Sequence, residues 1–428
     1  MASITYTYSL PSLLFVFVSL HYASIAAYSI PPKGIILRVA KHNSTLLHYT
    51  QIHREAGYSP LDLLVDLTYK SVYVECARTY NRNLLTFNIS RCGSPECQFA
   101  NVDLCSEDCG PHVFRTEHCI KYSCFSASPF HDLYLGNTFL LGWITEANFY
   151  FQSHDKSSSQ KFVEIPRFIF TCADDDYFPG GIVDGVAGLG KSPEALPSQL
   201  AQTFNFSRKF SLCLSSSTKS KGWISFGDAK IPLNPKVNVT KYLKYTPFAN
   251  SIIGVTSIEV NGKTVDGFNQ ELLSINDSGF GGMTISTTKP YTIMEESIYK
   301  NVTALFMKEL TGNRAKKNVT RVASVEPFEF CYSSKNIKTK KNLGPVVPQI
   351  DLVLQNKNIS WTISGANSMV KIDKQVMCLG FVRKTDGNNW SIEIGAHQIE
   401  DNLLQFDQDS SQLGFSSSLL ALNTACAK

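Results

Sequence analysis

Charge is missing from the start of the chain: none of residues 1–27 is Lys, Arg, Asp or Glu. Within that stretch, residues 9–20 form a mostly apolar run that exits near the small residues Ala26 and Ala27, the pattern of a secretory signal peptide. Such a run is too short to cross a bilayer, which needs about 20 apolar residues, and no later segment is longer. Residues 1–27 are therefore read as a leader and the protein as exported, without a membrane anchor. Charge stays modest over the whole chain, with 40 basic against 36 acidic residues and a formal net charge of +4. That balance does not indicate nucleic-acid binding. Other absences exclude chemistry. Cys92, Cys97, Cys105 and Cys109 lie close together without the paired spacing of a zinc ribbon. His42, His48 and His53 lack metal-ligand spacing. Ser278 has no Gly-x-Ser-x-Gly elbow, and the acidic residues show no paired glycosidase signature. Gly188-Leu189-Gly190 lacks the third glycine and the βαβ context of a nucleotide loop. Neither a metal nor a cofactor is expected.

What is present describes a large secreted β protein. All twelve cysteines follow residue 27, and an even number in an exported chain points to disulfides. Nine glycosylation sequons, at Asn43, Asn88, Asn205, Asn238, Asn276, Asn301, Asn318, Asn358 and Asn389, spread over both halves and require many solvent-facing loops. A chain of 428 residues exceeds the roughly 250–300 over which one hydrophobic core grows, so two lobes are expected. Short β-rich segments at 63–74, 162–170, 223–226, 254–260, 347–354 and 391–394 alternate with turn residues, and the clearest helix covers 295–310, where Ile298, Val302, Leu305 and Phe306 share a face. The serine-rich 157–159 reads as a hairpin tip. The lobe boundary is placed between β-rich halves, giving 28–240 and 241–428. Basic stretches at 313–318 and 335–341 read as surface loops whose default role is solubility.

Two motif sets carry a resemblance. Leu64-Val65-Asp66-Leu67-Thr68 followed by Tyr73-Val74-Glu75-Cys76 is a distorted form of the first active-site strand of pepsin-like proteases, and Asp184-Gly185-Val186-Ala187-Gly188-Leu189-Gly190 resembles the segment beneath it. Thr284-Ile285-Ser286-Thr287-Thr288, with Tyr291-Thr292-Ile293-Met294 and Tyr299, resembles the second active-site strand and the helix after it. Ile394-Gly395, Asp401-Asn402-Leu403-Leu404-Gln405-Phe406-Asp407 and Leu413-Gly414-Phe415 resemble the closing strands. The chain looks like the plant group of catalytically inactive pepsin-like homologues that contains xylanase inhibitors, xyloglucan-endoglucanase inhibitors, extracellular dermal glycoproteins, nectarin-like proteins and basic seed globulins. Its most specific pieces are Ile285-Ser286-Thr287 with Pro290-Tyr291-Thr292, Val322-Ala323-Ser324-Val325 with Pro327-Phe328, and Gln398-Ile399-Glu400-Asp401-Asn402-Leu403. The resemblance implies a mainly β, bilobal pepsin-like fold with a central cleft, and disulfides joining Cys331 to Cys378, Cys213 to Cys426 and Cys76 to Cys172. Tyr134-Leu135-Gly136 resembles the flap over the cleft.

Aspartic proteolysis needs two carboxylates that share a proton. The first position keeps Asp66, but Thr68 stands where the protease loop has its glycine. For the second position Asp277-Ser278-Gly279 spells the motif, yet Ser286 has the better spacing to Tyr299, and Asp277 sits in a sequon beside Phe280-Gly281-Gly282, which reads as an exposed turn. Asp66 and Ser286 are therefore read as vestigial positions and Asp277 as a decoy. The leading functional expectation is an extracellular inhibitor of microbial cell-wall-degrading glycoside hydrolases, acting in the apoplast as a monomer. The second is a non-inhibitory storage-like or binding glycoprotein with a peptide or oligosaccharide ligand. The third is a residual acid endopeptidase. By resemblance, Arg321 is the first choice for the inhibitory contact, with Arg383, Lys384 and Asn389 on a second loop.

Overall fold

The computed structural model describes residues 32–54, 60–76, 88–102, 104–106, 122–132, 136–153, 161–173, 182–234, 237–248, 252–277, 279–312, 319–355, 359–385, 387 and 389–427, and residues 33–428 cluster as one compact unit. The leader, the flap-like Tyr134, the hairpin tip at 157–159, and Cys109, Cys119, Asn318 and Asn358 lie outside the described residues.

The fold is the bilobal pepsin-like one, built mostly from β-sheet. Alternation decides which face of each strand is buried. In His48–Ile52, residues 48, 50 and 52 are buried and 49 and 51 less so, as a strand with one face on the core requires. Leu61–Asp66 is buried almost throughout because it lies inside the sheet with neighbours on both sides. The helix read at 295–310 is Glu296–Gly312, with Ile298, Val302, Phe306 and Leu310 turned to the core at the i, i+4, i+8 spacing of one helical face.

Two five-strand modules share one topology. In the first half the order is His48–Ile52, Leu61–Asp66, Gly185–Gly188, Val72–Glu75, Lys161–Ala173, paired in turn antiparallel, parallel, antiparallel and parallel. In the second half Ile252–Ile253, Met283–Ile285, Ile392–Ile394, Thr292–Met294 and Phe381–Arg383 repeat that order and those senses. A glycine sits at the matching place in each module. A Cβ on Gly188 would lie 2.2 Å from the Ser71 carbonyl oxygen, and one on Gly395 would lie 2.3 Å from the Tyr291 carbonyl carbon. Only glycine lets the loop backbone pass that close.

A large sheet ties the halves together. Leu404–Asp407 pairs with Lys209–Cys213, and Lys244–Pro247 closes the edge against Gln412–Phe415. Strands from both sides of 240–241 thus enter one sheet. Phe210 and Phe406 stack at 4.7 Å on its face, with Phe248 edge-on at 5.2 Å.

Four disulfides join described residues: Cys76–Cys172, Cys97–Cys124, Cys213–Cys426 and Cys331–Cys378. Three are the pairs named from the resemblance; Cys97–Cys124 pins the short helix Pro95–Phe99 to the long hairpin. Six sequon asparagines, 43, 88, 205, 238, 276 and 389, are exposed. Asn301 is half-buried on the helix, and its side-chain amide donates to the carbonyls of Gly267 at 3.2 Å and Ser297 at 2.8 Å.

Two polar contacts cross between distant parts of the chain. The buried Thr287 hydroxyl donates to the Val65 carbonyl at 2.5 Å, joining the turn after one module's central strand to the strand of the other. Farther away, buried Glu400 accepts an ion pair from Lys41 at 2.6 Å and lies 3.6 Å from His48 and 3.4 Å from His397. Burial pushes His48 down to about 4, overriding the pull of Glu400. Burial also opposes ionisation of Glu400, but the His397 hydrogen bond and the Lys41 and histidine charges outweigh it and hold the carboxyl at about 2.

Both contacts can be tested through stability. Thr287→Val removes the donor and leaves a buried carbonyl short of a bond, lowering unfolding free energy by about 1–3 kcal/mol in urea titrations. The ion-pair cluster is tested through pH. Unfolded His48 binds its proton near 6.5 and folded His48 near 4, so acidification through that window favours the unfolded chain; Glu400 adds to the loss as pH falls from 4.5 toward 2. Wild type should lose on the order of 3 kcal/mol between pH 6.5 and 4 from His48, and His48→Gln should flatten that part of the stability curve.

Candidate functional site

Each module ends its central strand in a turn closed on one side-chain oxygen. After Leu61–Asp66, Asp66 Oδ1 accepts the Thr68 amide at 2.7 Å, the Thr68 hydroxyl at 2.8 Å and the Tyr69 amide at 3.1 Å. After Met283–Ile285, Ser286 Oγ accepts the Thr288 amide at 3.3 Å and the Lys289 amide at 3.2 Å, with the Thr288 hydroxyl 3.1 Å away. The same atoms of residues i+2 and i+3 serve both turns, so Asp66 and Ser286 hold equivalent places. The strand registers agree: Val65 and Asp66 face Ala187 and Gly188, and Ile285, the residue before Ser286, faces Ile394, the residue before Gly395.

The turns differ at the residue immediately after the oxygen-bearing one. Thr287 sends its hydroxyl across to Val65, whereas the residue after Asp66 is Leu67, which has no hydroxyl to return the bond. Leu67 is 4% exposed and fills its place with hydrocarbon.

Thr68, Ser286 and Thr288 line a cavity of about 510 Å³ between the turns and the large sheet. Its floor carries Phe210, Phe248 and Phe406, and its rim carries Asn389 and Trp390. Lys191 is held there by Ser411 Oγ at 3.0 Å and the Phe248 carbonyl at 3.4 Å, over the Phe248 ring. Gln408 donates to the carbonyls of Leu189 and Gly190 while its buried Oε1 has no hydrogen-bond partner among the described residues. Glu393, 7% exposed, contributes a carboxylate to the same lining. Lys191, Gln408 and Glu393 were not singled out from the sequence. None sits in a motif that names its role, although Glu393 is visible as the register partner of Thr284 once the second module is aligned with the first.

Asp277 lies elsewhere. It is exposed in a surface turn closed by the Asn276 amide on the Phe280 carbonyl at 2.9 Å and by Asn276 Oδ1 on the Phe280 amide at 3.0 Å.

The structure brings two of the proposed contact residues together around Glu329. Arg321 is exposed on the strand Arg321–Val322, donates to the Glu329 carbonyl at 3.2 Å, and lies over the Phe330 ring at 4.6 Å. Arg383 reaches the Glu329 carboxylate at 2.9 Å and Glu296 at 3.1 Å, and stands over the Tyr299 ring. Burial, and then the Glu329 charge, push the Tyr299 phenol up. Lys384 is turned to the Trp390 carbonyl at 2.9 Å, and exposed Asn389 accepts the Gly281 amide at 2.8 Å through its backbone carbonyl. Among the described residues no group of three or more His, Cys, Asp or Glu could hold a metal ion, and no helix is long and apolar enough to cross a membrane.

Comparison with known proteins gives the relationship. The xylanase inhibitor N-terminal domain family matches residues 48–228 and the xylanase inhibitor C-terminal domain family matches 252–417. A Nicotiana benthamiana protein described as probable aspartic proteinase GIP2 is 39% identical over 419 residues, covering 93% of this chain and 92% of its own. Gamma conglutin 1 of Prunus dulcis is 38% identical over 402 residues, covering 93% and 90%. Among solved structures, that titled edgp superposes with a TM-score of 0.81 at 39% identity, covering 93% of this chain and 98% of its own. Basic 7S globulin from soybean gives 0.75 at 30% identity, covering 92% and 97%. With both halves matched and relatives aligned nearly end to end, the chain belongs to the xylanase-inhibitor-type family of plant pepsin-like proteins.

Proposed function

We propose that this protein is an exported, proteolytically inactive member of the family that inhibits microbial glycoside hydrolases attacking plant cell walls, of the xylanase or xyloglucan-specific endoglucanase type. The observation that carries the inactive half of the reading is the pair of equivalent turns, one closed on a carboxylate and the other on a hydroxyl. In aspartic proteolysis one carboxylate activates water while the other protonates the carbonyl, which requires the two to share a proton. A serine hydroxyl does not ionise in the range where Asp66 would exchange one. Asp277, the only alternative within an Asp-Ser-Gly motif, faces solvent in its own turn.

The inhibitory half is supported by the match of both halves to xylanase inhibitor domains and by the placement of Arg321. A retaining glycosidase presents two carboxyl groups about 5–5.5 Å apart, and a planar guanidinium can bind one of them through two parallel hydrogen bonds. Arg321 is exposed, and the Phe330 ring and Glu329 carbonyl limit its freedom before any partner arrives. Arg383 is committed to two carboxylates of its own chain and would have to release them. Arg321 is therefore the anchor in this reading, with the Asn389–Trp390 rim as a flanking contact, and the apoplast is the place of action.

One observation favours a second reading. The cavity beside Ser286 has aromatic walls and a buried carboxamide oxygen without a hydrogen-bond partner among the described residues, as a ligand-binding site would, and relatives include proteins named gamma conglutin and basic 7S globulin. A storage-like or ligand-binding glycoprotein would use that cavity and leave Arg321 idle.

Initial rates of fungal xylanases and xyloglucan-specific endoglucanases, measured with increasing amounts of the purified protein, separate the two. The proposal predicts saturable inhibition of at least one hydrolase and a loss of about 2–5 kcal/mol of affinity in Arg321→Ala, because a buried carboxylate is left unpaired. Unchanged rates across the panel would move the assignment to the second reading, and undiminished inhibition by a folded Arg321→Ala would remove Arg321 as anchor.

A further inference from the structure

The second half carries a lysine surface outside the residues assigned above to hydrolase inhibition. Lys335, Lys338, Lys340, Lys341, Lys371 and Lys374 are all exposed, and none makes an ion pair among the described residues. Backbone hydrogen bonds hold their segments side by side. The Ser334 amide donates to the Gln375 carbonyl at 2.7 Å and the Ser334 hydroxyl to the Lys374 carbonyl at 2.9 Å, so Lys335 and Lys374 lie on adjoining turns. The Val346 amide donates to the Lys338 carbonyl at 2.8 Å, and Thr339–Lys340 pairs with Gly344–Pro345 as a hairpin. That hairpin packs on the Gly365–Ser368 helix through the Ala366 amide and Leu343 carbonyl at 3.1 Å, and the helix runs directly into Met369–Lys371. The only acid in these segments is Asp373, whose Oδ1 is occupied by the amides of Gln375 at 2.6 Å and Val376 at 2.8 Å.

Six cations on one surface of a chain with a net charge of only +4 are locally uncompensated, and like charges so placed repel one another unless a polyanion covers them. Their type narrows the polyanion. All six are Lys, hydrated point charges on flexible stems that can follow separated anionic groups along a chain, and no Arg supplies a planar fork for bidentate contact. Residues 333–346 and 369–376 contain no aromatic side chain on which a nucleic-acid base could stack. Ser334, Thr339 and Asn342 intersperse neutral hydrogen-bonding groups suited to sugar hydroxyls. We infer that this surface binds an acidic polysaccharide of the polyuronate class, such as de-esterified polygalacturonate. Lys371 lies on the sheet whose opposite edge carries Arg321, in the order Arg321–Val322, Cys331–Ser333, Val376–Leu379, Met369–Lys371, and the Thr339–Lys340 hairpin is a separate two-stranded sheet. A protein held to a wall polymer by this surface would keep its Arg321 edge available to a second partner.

The test is binding of the full-length secreted protein to polygalacturonate, by retention on the immobilised polymer and by titration with soluble oligogalacturonides. Binding should weaken steeply as NaCl rises from about 50 to about 200 mM, and the triple variant Lys338→Gln/Lys340→Gln/Lys341→Gln should bind about tenfold or more weakly. Lys219→Gln/Lys221→Gln, exposed in the first half, should bind as wild type, and the fully methyl-esterified polymer should not bind. Equal loss in both lysine variants would overturn the surface assignment. Tighter binding to single-stranded DNA or to anionic phospholipid vesicles than to polygalacturonate would overturn the polyuronate class. Hydrolase inhibition by the triple variant reads the separate function, so its loss or retention leaves this result unaffected.

Discussion

The pair of turns closed on Asp66 and Ser286 is the constraint on which the rest of the molecule converges. Each fixes the exit of a central strand by supplying an acceptor to two backbone amides, of which those of Tyr69, Thr288 and Lys289 belong to buried residues. A carboxylate and a hydroxyl serve this structural task about equally well, because the turn requires only one oxygen. Aspartic proteolysis requires more, a second ionisable oxygen, which a serine hydroxyl does not supply. The Thr287 bond to Val65 is made in one direction, since Leu67 has no hydroxyl to return it. The glycines at 188 and 395 complete the frame by letting loop backbone approach each strand end.

The fold was legible because its signals are local. Buried strand ends such as Leu64-Val65-Asp66 and Thr284-Ile285-Ser286 keep their apolar approach and polar terminus, and the Glu296–Gly312 helix shows its core face as a periodicity. The cavity was far less so. Gln408, Lys191 and Glu393 converge from three separate strands or loops, and no spacing within the sequence records that convergence. The same holds for Lys41 and His48, which meet Glu400 from hundreds of residues away in the chain, although His397 is only an i, i+3 neighbour of Glu400. His48 stands in the sequence as an isolated histidine near the start; burial and Glu400 give it a stability role instead. The division at 240–241 separates the sequence into halves, but sheet pairing does not respect it, since the last strands return to Lys209–Cys213 to complete the joint sheet.

Arg321 and Arg383 show why residue type alone does not assign a contact. Both come from strands of the second half, and the structure puts both against Glu329, but with unequal freedom. Arg383 bridges two acidic side chains and already meets its electrostatic demand. Arg321 meets only a backbone carbonyl and a ring face, so its charge is available at little reorganisation cost. Preorganisation of this kind reduces the entropy lost on binding and is the physical reason for favouring Arg321.

The inactive half of the proposed function is the claim that Asp66 does not share a proton with a second carboxylate. Turnover of denatured haemoglobin between about pH 3 and about pH 6, with and without pepstatin, measures it. No cleavage above a buffer control is expected at any pH in that range, with identical traces for wild type and Asp66→Asn. Pepstatin-sensitive turnover that disappears in Asp66→Asn, and also in either Asp277→Asn or Glu393→Gln, would contradict this by identifying the partner carboxylate.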